Sequence, residues 1–462
     1  MTDYRPDPRI LELGDSFYDA VEPARFPAAI PRFLNRRAAA EVGLELDGAE
    51  WERHFQRFEP LPGNLERPLA LRYHGHQFRH YNPDIGDGRG FLFAQLRDAR
   101  GRLLDLGTKG SGQTPYSRFG DGRLTLKGAV REVLASEMLE ALGVETSRTF
   151  ALFETGEALQ RNDEPSPTRS AVLTRLSHGH IRIGTFQRLA FFKDADGLRA
   201  LTRYCLTHLY GEAGDAPVRL LELVCARTAR LAASYLAAGF VHGVLNSDNI
   251  NVTGESFDYG PWRFAPDWDE EFVAAYFDQG GLYAFGRQPE AIHWDVAQLA
   301  GALSLIAPPD ALKAELDRWP ALFQDALVAA LLRRLGVGSR GEAEDLELVG
   351  ALLAALRTRD VTIDRLFFDW HGGRDPGGAI YAGKPFRVLA DKLKGAVSLG
   401  TDSELCSMPI DEVEAIWARI AEDDDWSAFE AKVAAIRRMG AAMTPPCASP
   451  GEAAKDAEPE TL

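Results

Sequence analysis

What constrains this chain most is a long helix that runs straight into a polar loop and then an acidic turn. From Val218 to Ala238, the residues Leu221, Val224, Cys225, Thr228, Leu231, Ala232 and Tyr235 share one face, while Arg219, Glu222, Arg227 and Arg230 fall off it. Gly239 supplies a stop. Then come His242-Gly243-Val244-Leu245-Asn246-Ser247-Asp248-Asn249 and, nine residues on, Asp258-Tyr259-Gly260. An Asn amide oxygen and an Asp carboxylate are hard ligands. They suit Mg²⁺ or Mn²⁺ bridging polyphosphate oxygens, a task that needs few protein ligands. Asp and Asn are also common turn formers in an ordinary helix-to-hairpin loop; the trailing Asp-Tyr-Gly favours the metal reading.

The loop lies on the template of a kinase catalytic loop, H-R-D-L-x-x-x-N followed by D-F-G. His242 and Leu245 match, Asn249 takes the place of the metal-binding Asn, and Asp258 that of the metal-binding Asp. Val244 stands where the proton-accepting Asp belongs, so the usual phosphotransfer base is missing. Asp248, beside Asn249, is the nearest carboxylate able to replace it.

The preceding chain fits the same template. Gly90 to Leu96 and Arg102 to Leu106 predict a hairpin turning at Arg100-Gly101. Lys109 ends a β-like run, and Glu132 lies on the helix predicted over Leu126 to Leu142, whose buried stripe is Leu134, Met138 and Leu142. In kinases a strand Lys pairs with a helix Glu. Gly86-Asp87-Gly88-Arg89-Gly90 sits where a phosphate loop belongs but lacks its spacing, and Gly120-Asp121-Gly122-Arg123 repeats the pattern after Lys109. Arg175 and Arg182 flank a His-Gly-His segment and have the geometry for bidentate phosphate contact. The expected fold is α+β: a two-lobed protein-kinase-like fold with an N-terminal extension and a helical C-terminal region. Its divisions are an extension over 1–65, an N-lobe-like nucleotide-binding region over 66–185, a helical C-lobe with the catalytic loop over 186–395, and a helical segment with a disordered tail over 396–462, the tail starting near 440.

Composition narrows the partners. The 462 residues suggest two or three packed units, and 45% hydrophobic content can fill their cores. A net charge of −16 repels nucleic acid and anionic lipid, so a phosphate ligand needs a local basic pocket. No apolar leader follows Met1, and no stretch approaches the ~20 residues that span a bilayer. The four cysteines form no CxxC pair, against zinc and a disulfide scaffold. A cytoplasmic monomer is expected, without nucleic-acid or membrane partners.

Several motifs together resemble the selenoprotein O family: Tyr73 to Phe78, Asn82 to Arg89, Lys109 to Arg118, Gly120 to Arg123, Ile181 to Phe186 and His242 to Asn249. The resemblance spans about residues 65 to 300. It implies a pseudokinase that is a protein adenylyltransferase, an enzyme binding ATP end for end and moving AMP to a Ser, Thr or Tyr hydroxyl of a protein as pyrophosphate leaves. It further implies that Lys109, Asp121, Gly122, Arg175 and Arg182 hold the inverted triphosphate, with Gly86, Gly88 and Arg89 lining the nucleotide site. Glu132 pairs with Lys109, Asn249 and Asp258 bind Mg²⁺ or Mn²⁺, Asp258 also meets the nucleotide, and Asp248 is the base. The C-terminal third departs from the family. Asp369 to Lys394 lacks its pattern, and no cysteine in 259–300 can partner the tail Cys447, so no regulatory disulfide of Cys447 is expected. The alternatives are a phosphotransferase acting on a small molecule or protein, a non-catalytic ATP-binding scaffold, and uridylyl transfer with Mn²⁺.

Overall fold

The chain enters the fold through two short strands, β1 (Tyr18–Ala20) and β2 (Ile30–Leu34), and two small helices, α1 (Arg36–Glu41) and α2 (Gly48–Phe55). The computed structural model describes residues 3–162, 164–399 and 404–443. Next come β3 (Leu69–Leu71), the hairpin β4 (Gly75–Gln77) and β5 (His80–Asn82), then β6 (Leu92–Arg97) and β7 (Leu103–Lys109). The last two form the hairpin expected from Arg100-Gly101, with Gly101 at a φ of +79°. After β8 (Leu124–Thr125), helix α3 (Leu126–Ala141) leads to the long strands β9 (Arg148–Leu159) and β10 (Thr168–Ser177).

The main sheet is antiparallel, in the order β1-β3-β6-β7-β10-β9-β2, with β8 against β10. The first 65 residues are therefore stitched into the sheet, since β1 pairs with β3 and β2 with β9. Strands of three to five residues carry too little alternation to be read alone; distant partners give them their order. On one face, Trp51 and Phe55 of α2 pack at a tilt on Phe150 at ring separations of 5.1 and 5.0 Å. The other face is covered by α3, whose Leu134 and Met138 are fully buried.

The helical half follows: α4 (Ile183–Phe191), α5 (Ala195–Tyr204) and α6 (Pro217–Ala238), then the short strands β11 (Phe240–Val241) and β12 (Arg263–Phe264). Gly239 ends α6 in the left-handed conformation the sequence predicts. Helices α7 (Gln288–Leu303), α8 (Pro309–Asp317), α9 (Trp319–Leu335), α10 (Glu342–Leu356), α11 (Ile363–Asp369) and α12 (Lys384–Leu393) complete this lobe. The architecture is two-lobed and kinase-like, a sheet lobe with one long helix followed by a helical lobe. Two last helices, α13 (Ile410–Asp423) and α14 (Ser427–Met443), return to the sheet lobe and pack on α3. The predicted start of a tail near 440 thus falls inside α14; the rest of that tail, with Cys447, lies outside the described residues. Among the described residues no helix is long and apolar enough to cross a membrane.

Candidate active site

Between the lobes lies a polar cleft of about 800 Å³. Seven basic side chains line it (Arg89, Lys109, Arg118, Arg123, Arg161, Arg175 and Arg182) against four carboxylates, Asp87, Asp121, Asp248 and Asp258. In a chain of net charge −16, this is the local basic pocket that a polyphosphate needs.

Lys109 is delivered by the end of β7 and Arg175 by β10, two strands paired in register with Lys109 opposite Leu173 and Arg175 opposite Gly107. Thr125 caps α3 by accepting from the Gly128 N–H, and the helix presents Glu132 to both cations. Lys109 Nζ lies 2.5 Å from Glu132 Oε2 and 2.9 Å from Asp258 Oδ1, while Arg175 Nη1 lies 3.3 Å from Glu132 Oε1 and 3.4 Å from Asp258 Oδ1. Two cations and two carboxylates alternate around a closed ring. Burial alone would raise the Asp258 carboxyl, but Lys109, Arg175 and Arg89 outweigh it and hold the group well below the usual carboxylate range. Asp258 also has a φ of +62°, strained for a residue with a side chain and stored here at the site itself.

Arg182 precedes α4. It donates to Asp87 Oδ1 at 3.0 Å and lies over the rings of Tyr73 and Phe257 at 4.2 and 5.1 Å. Asp87 in turn accepts from the Leu71 N–H at 3.0 Å. The turn around it needs glycine: a Cβ on Gly86 would stand 2.5 Å from the Tyr116 ring. The second Gly-Asp-Gly-Arg closes a loop, with Gly112 N–H donating to Gly122 O at 3.1 Å. Gly122 has a φ of +69°, and a Cβ there would meet Gly112 at 2.2 Å. Asp121 receives a fork from Arg161 at 2.8 and 3.1 Å and the Arg123 N–H at 2.9 Å, so its carboxylate is already neutralised.

The catalytic-loop segment forms the opposite wall. Buried His242 reaches Phe257 O through Nε2 at 2.9 Å and takes the Val244 N–H on Nδ1 at 3.4 Å, the pattern of a neutral ring. It thereby ties the loop to the residue before Asp258. The hairpin β4–β5 presses on the same loop: His76 N–H donates to Ser247 Oγ at 2.8 Å and Phe78 N–H to Asn246 Oδ1 at 3.0 Å. Asp248 is 7% exposed, and its Oδ1 has no hydrogen-bond partner. Burial lifts its carboxyl to about 6, against the pull of Arg182. Asn249 stands outside the cleft lining and donates from Nδ2 to Val244 O at 3.1 Å.

The cleft brings together Gly86, Gly88, Arg89, Lys109, Asp121, Gly122, Arg175, Arg182, Asp248 and Asp258; Glu132 sits behind Lys109, and Asn249 is the residue left outside. The sequence reading did not single out Asp87 as a partner of Arg182, nor Arg118, Arg161 or Asn162 as lining. Arg161 and Asn162 follow β9 in a stretch with no periodicity or turn signature; only the strand pairing carries them to the cleft.

The chain matches the family described as "Protein adenylyltransferase SelO" over residues 2–375. A Synechocystis protein named "Protein nucleotidyltransferase YdiU" is 41% identical, aligned over 92% of this chain and 96% of its own length. The protein of that name from Gloeobacter violaceus is 42% identical, over 94% and 95%. Among solved structures, a rhoptry antigen kinase domain of Toxoplasma gondii aligns at 14% identity over 63% of this chain and 84% of its own, with a TM-score of 0.29; at that value the likeness adds nothing to the fold described above.

Proposed function

We propose that this chain, which belongs to the SelO family of protein adenylyltransferases, binds ATP in the cleft with its triphosphate inverted and transfers AMP to a Ser, Thr or Tyr hydroxyl of a protein. Asp248 carries most of the case. A carboxylate with an unpaired oxygen lines the cleft, while the position of the usual phosphotransfer base is the apolar Val244. A carboxyl poised near 6 is largely ionised at neutral pH yet basic enough to accept a proton, the compromise general-base catalysis favours.

In the reaction, Asp248 takes the proton from the acceptor hydroxyl as its oxygen bonds to the α-phosphorus. The bond from that phosphorus to the bridging oxygen breaks, and pyrophosphate leaves with the electron pair. Lys109, Arg175 and Arg182 face the charge that grows on the leaving group; the ring with Glu132 and Asp258 holds the first two preorganised for it, and Asp87 holds Arg182. Arg89, Gly86 and Gly88 line the nucleotide, and the Asp121–Gly122 turn borders it once Arg161 has cancelled the Asp121 charge.

The donor set suits Mg²⁺ or Mn²⁺. Asp258 meets its cations through Oδ1, and the Asn249 amide is oriented by the Nδ2 bond to Val244 O, so a carboxylate oxygen and an amide oxygen remain as hard ligands. Among the described residues there is no cluster of three or more His, Cys, Asp or Glu that could hold a metal. When bound, the ion supplies positive charge to the polyphosphate. A monomer in the cytoplasm belongs to the same reading; the buried, free thiols of Cys205, Cys225 and Cys406 suit that compartment.

The test is to incubate the protein and candidate acceptors with ATP labelled at the α or the γ position. Label from the α position should enter protein, with a mass gain equal to AMP. Protein labelled from the γ position would restore the kinase reading, and labelling from UTP with Mn²⁺ in preference to ATP would replace adenylyl by uridylyl transfer.

A further inference from the structure

We infer that α13 and α14 lock α3 in the orientation that keeps Glu132 on Lys109 and Arg175, which makes Arg437 and Glu414 positioning residues for the transfer; the inference rests on the reading of the cleft given above. The family match ends at residue 375, so neither helix falls within it.

Helix α3 is fastened on both sides of Glu132. Before it, Glu414 of α13 meets Lys127 at 2.6 Å and the adjacent Arg131 at 3.5 Å, two residues spaced to share a helix face. Arg131 also donates to Trp262 O at 3.1 Å and lies 4.8 Å over the Trp262 ring, in the chain just past Asp258. Beyond Glu132, Arg437 of α14 forks onto Glu137 at 2.6 and 2.7 Å, and the Glu137 side chain is 3% exposed. Nearby, a Cβ on Gly440 would lie 3.0 Å from Ala141, so the two helices run nearly backbone to backbone. The turn between α13 and α14 is pinned in turn to the sheet, where Asp424 at the end of α13 pairs with Arg32 of β2 and Arg169 of β10 at 3.0 and 2.7 Å.

The geometry makes this grip matter for chemistry. A side-chain tip lies about 5 Å from the helix axis, so turning α3 by about 20° moves the Glu132 carboxylate by about 2 Å. That is enough to take its 2.5 Å contact with Lys109 outside hydrogen-bonding range. In kinases this Lys–Glu pair must be formed for transfer, and the position of the Glu-bearing helix controls it. Here the same chain fills the seat behind that helix, so the pair is formed without a separate activating partner. Arg437 and Glu414 touch no reacting atom; they act through α3.

The experiment uses the full-length protein and follows AMP transfer from α-labelled ATP. Arg437→Glu and Glu137→Arg should each lower kcat per folded molecule by at least about tenfold, because each strands a buried charge at the α3 seat. KM for ATP should change less than kcat, and the double reversal should recover most of the loss. Arg437→Lys should keep most of the activity. In a Glu132→Gln background, where the pair is already weakened, adding Arg437→Glu should change turnover little. Wild-type kcat in both single reversals would overturn the inference, as would a loss that the double reversal leaves unrepaired or that adds in full to Glu132→Gln. Should the reversals fail to fold, Glu414→Gln replaces them: a reduced kcat supports the lock and an unchanged one overturns it. Absence of labelling by the wild-type protein would instead remove the transferase reading itself.

Discussion

The two walls of the cleft treat the same chemical group in opposite ways. On the cationic wall, Asp258 is drawn into a ring with Lys109, Arg175 and Glu132 and stays ionised far below neutral pH. On the catalytic-loop wall, Asp248 is the more enclosed of the two, its Oδ1 is unpaired and its carboxyl is lifted to about 6. Desolvation pushes both carboxyls up, and the difference lies in what stands within ion-pair distance: Lys109 and Arg175 at Asp258. A carboxylate between two cations is a permanent charge, fit to meet a metal or hold a lysine; one left short of partners can gain and lose a proton. Paired environments that push two carboxyls apart are a general route to separate acid–base roles in one site.

The largest effect is expected at the ionised member. Asp258→Ala should take AMP transfer to background, since it removes the carboxylate proposed to meet the metal and leaves Lys109 and Arg175 without one of their shared counter-charges. Normal turnover by a folded Asp258→Ala protein would erase the contrast between the walls. Next comes the titrating member: Asp248→Asn keeps the shape but cannot accept a proton, and kcat should fall by ~10²–10⁴-fold. ATP affinity, measured by titration calorimetry, should hardly move; a variant that loses ATP binding in proportion to activity would place Asp248 with the binding residues instead.

The smallest effect sharpens the comparison with a carboxyl away from the cleft. Glu255 accepts the His178 N–H at 2.8 Å, and burial lifts it from 4.5 to about 8 despite that bond and the attraction of Arg148 and Arg102. Its folded pKa exceeds its unfolded one, so the stability it contributes is complete below 4.5 and is lost as pH rises through about 8. Glu255→Gln should therefore flatten the decline of melting temperature with pH across that window and leave kcat alone. An unchanged slope would mean that burial does not set this carboxyl.

Much of the site could be read from the chain because its pieces are local. A strand that ends in Lys109, a helix that begins at Leu126 and bears Glu132, and a loop of eight residues behind a glycine-stopped helix each have a spacing fixed by backbone geometry. The missing base was equally plain, because Val244 occupies a position defined by its neighbours. The partners of the charged residues were not legible in this way. Asp87 with Arg182, Asp121 with Arg161 and Glu137 with Arg437 are separated by long stretches of chain, and nothing in one member's surroundings announces the other.

The sequence by itself determined which chemical groups this protein carries and in what order: two metal-type oxygen ligands, a lysine and glutamate set to pair, a displaced carboxylate and two arginines suited to phosphate. Tertiary structure alone decided what state those groups are in. Whether a carboxyl is a fixed charge or a base depends on desolvation and on cations a few ångströms away, and those reach Asp258 and Asp248 from β7, β10 and the segment before α4. Only the folded chain could also turn its last two helices into the seat of α3, because a long-range contact is set by the packing of every element between its ends and by no local rule.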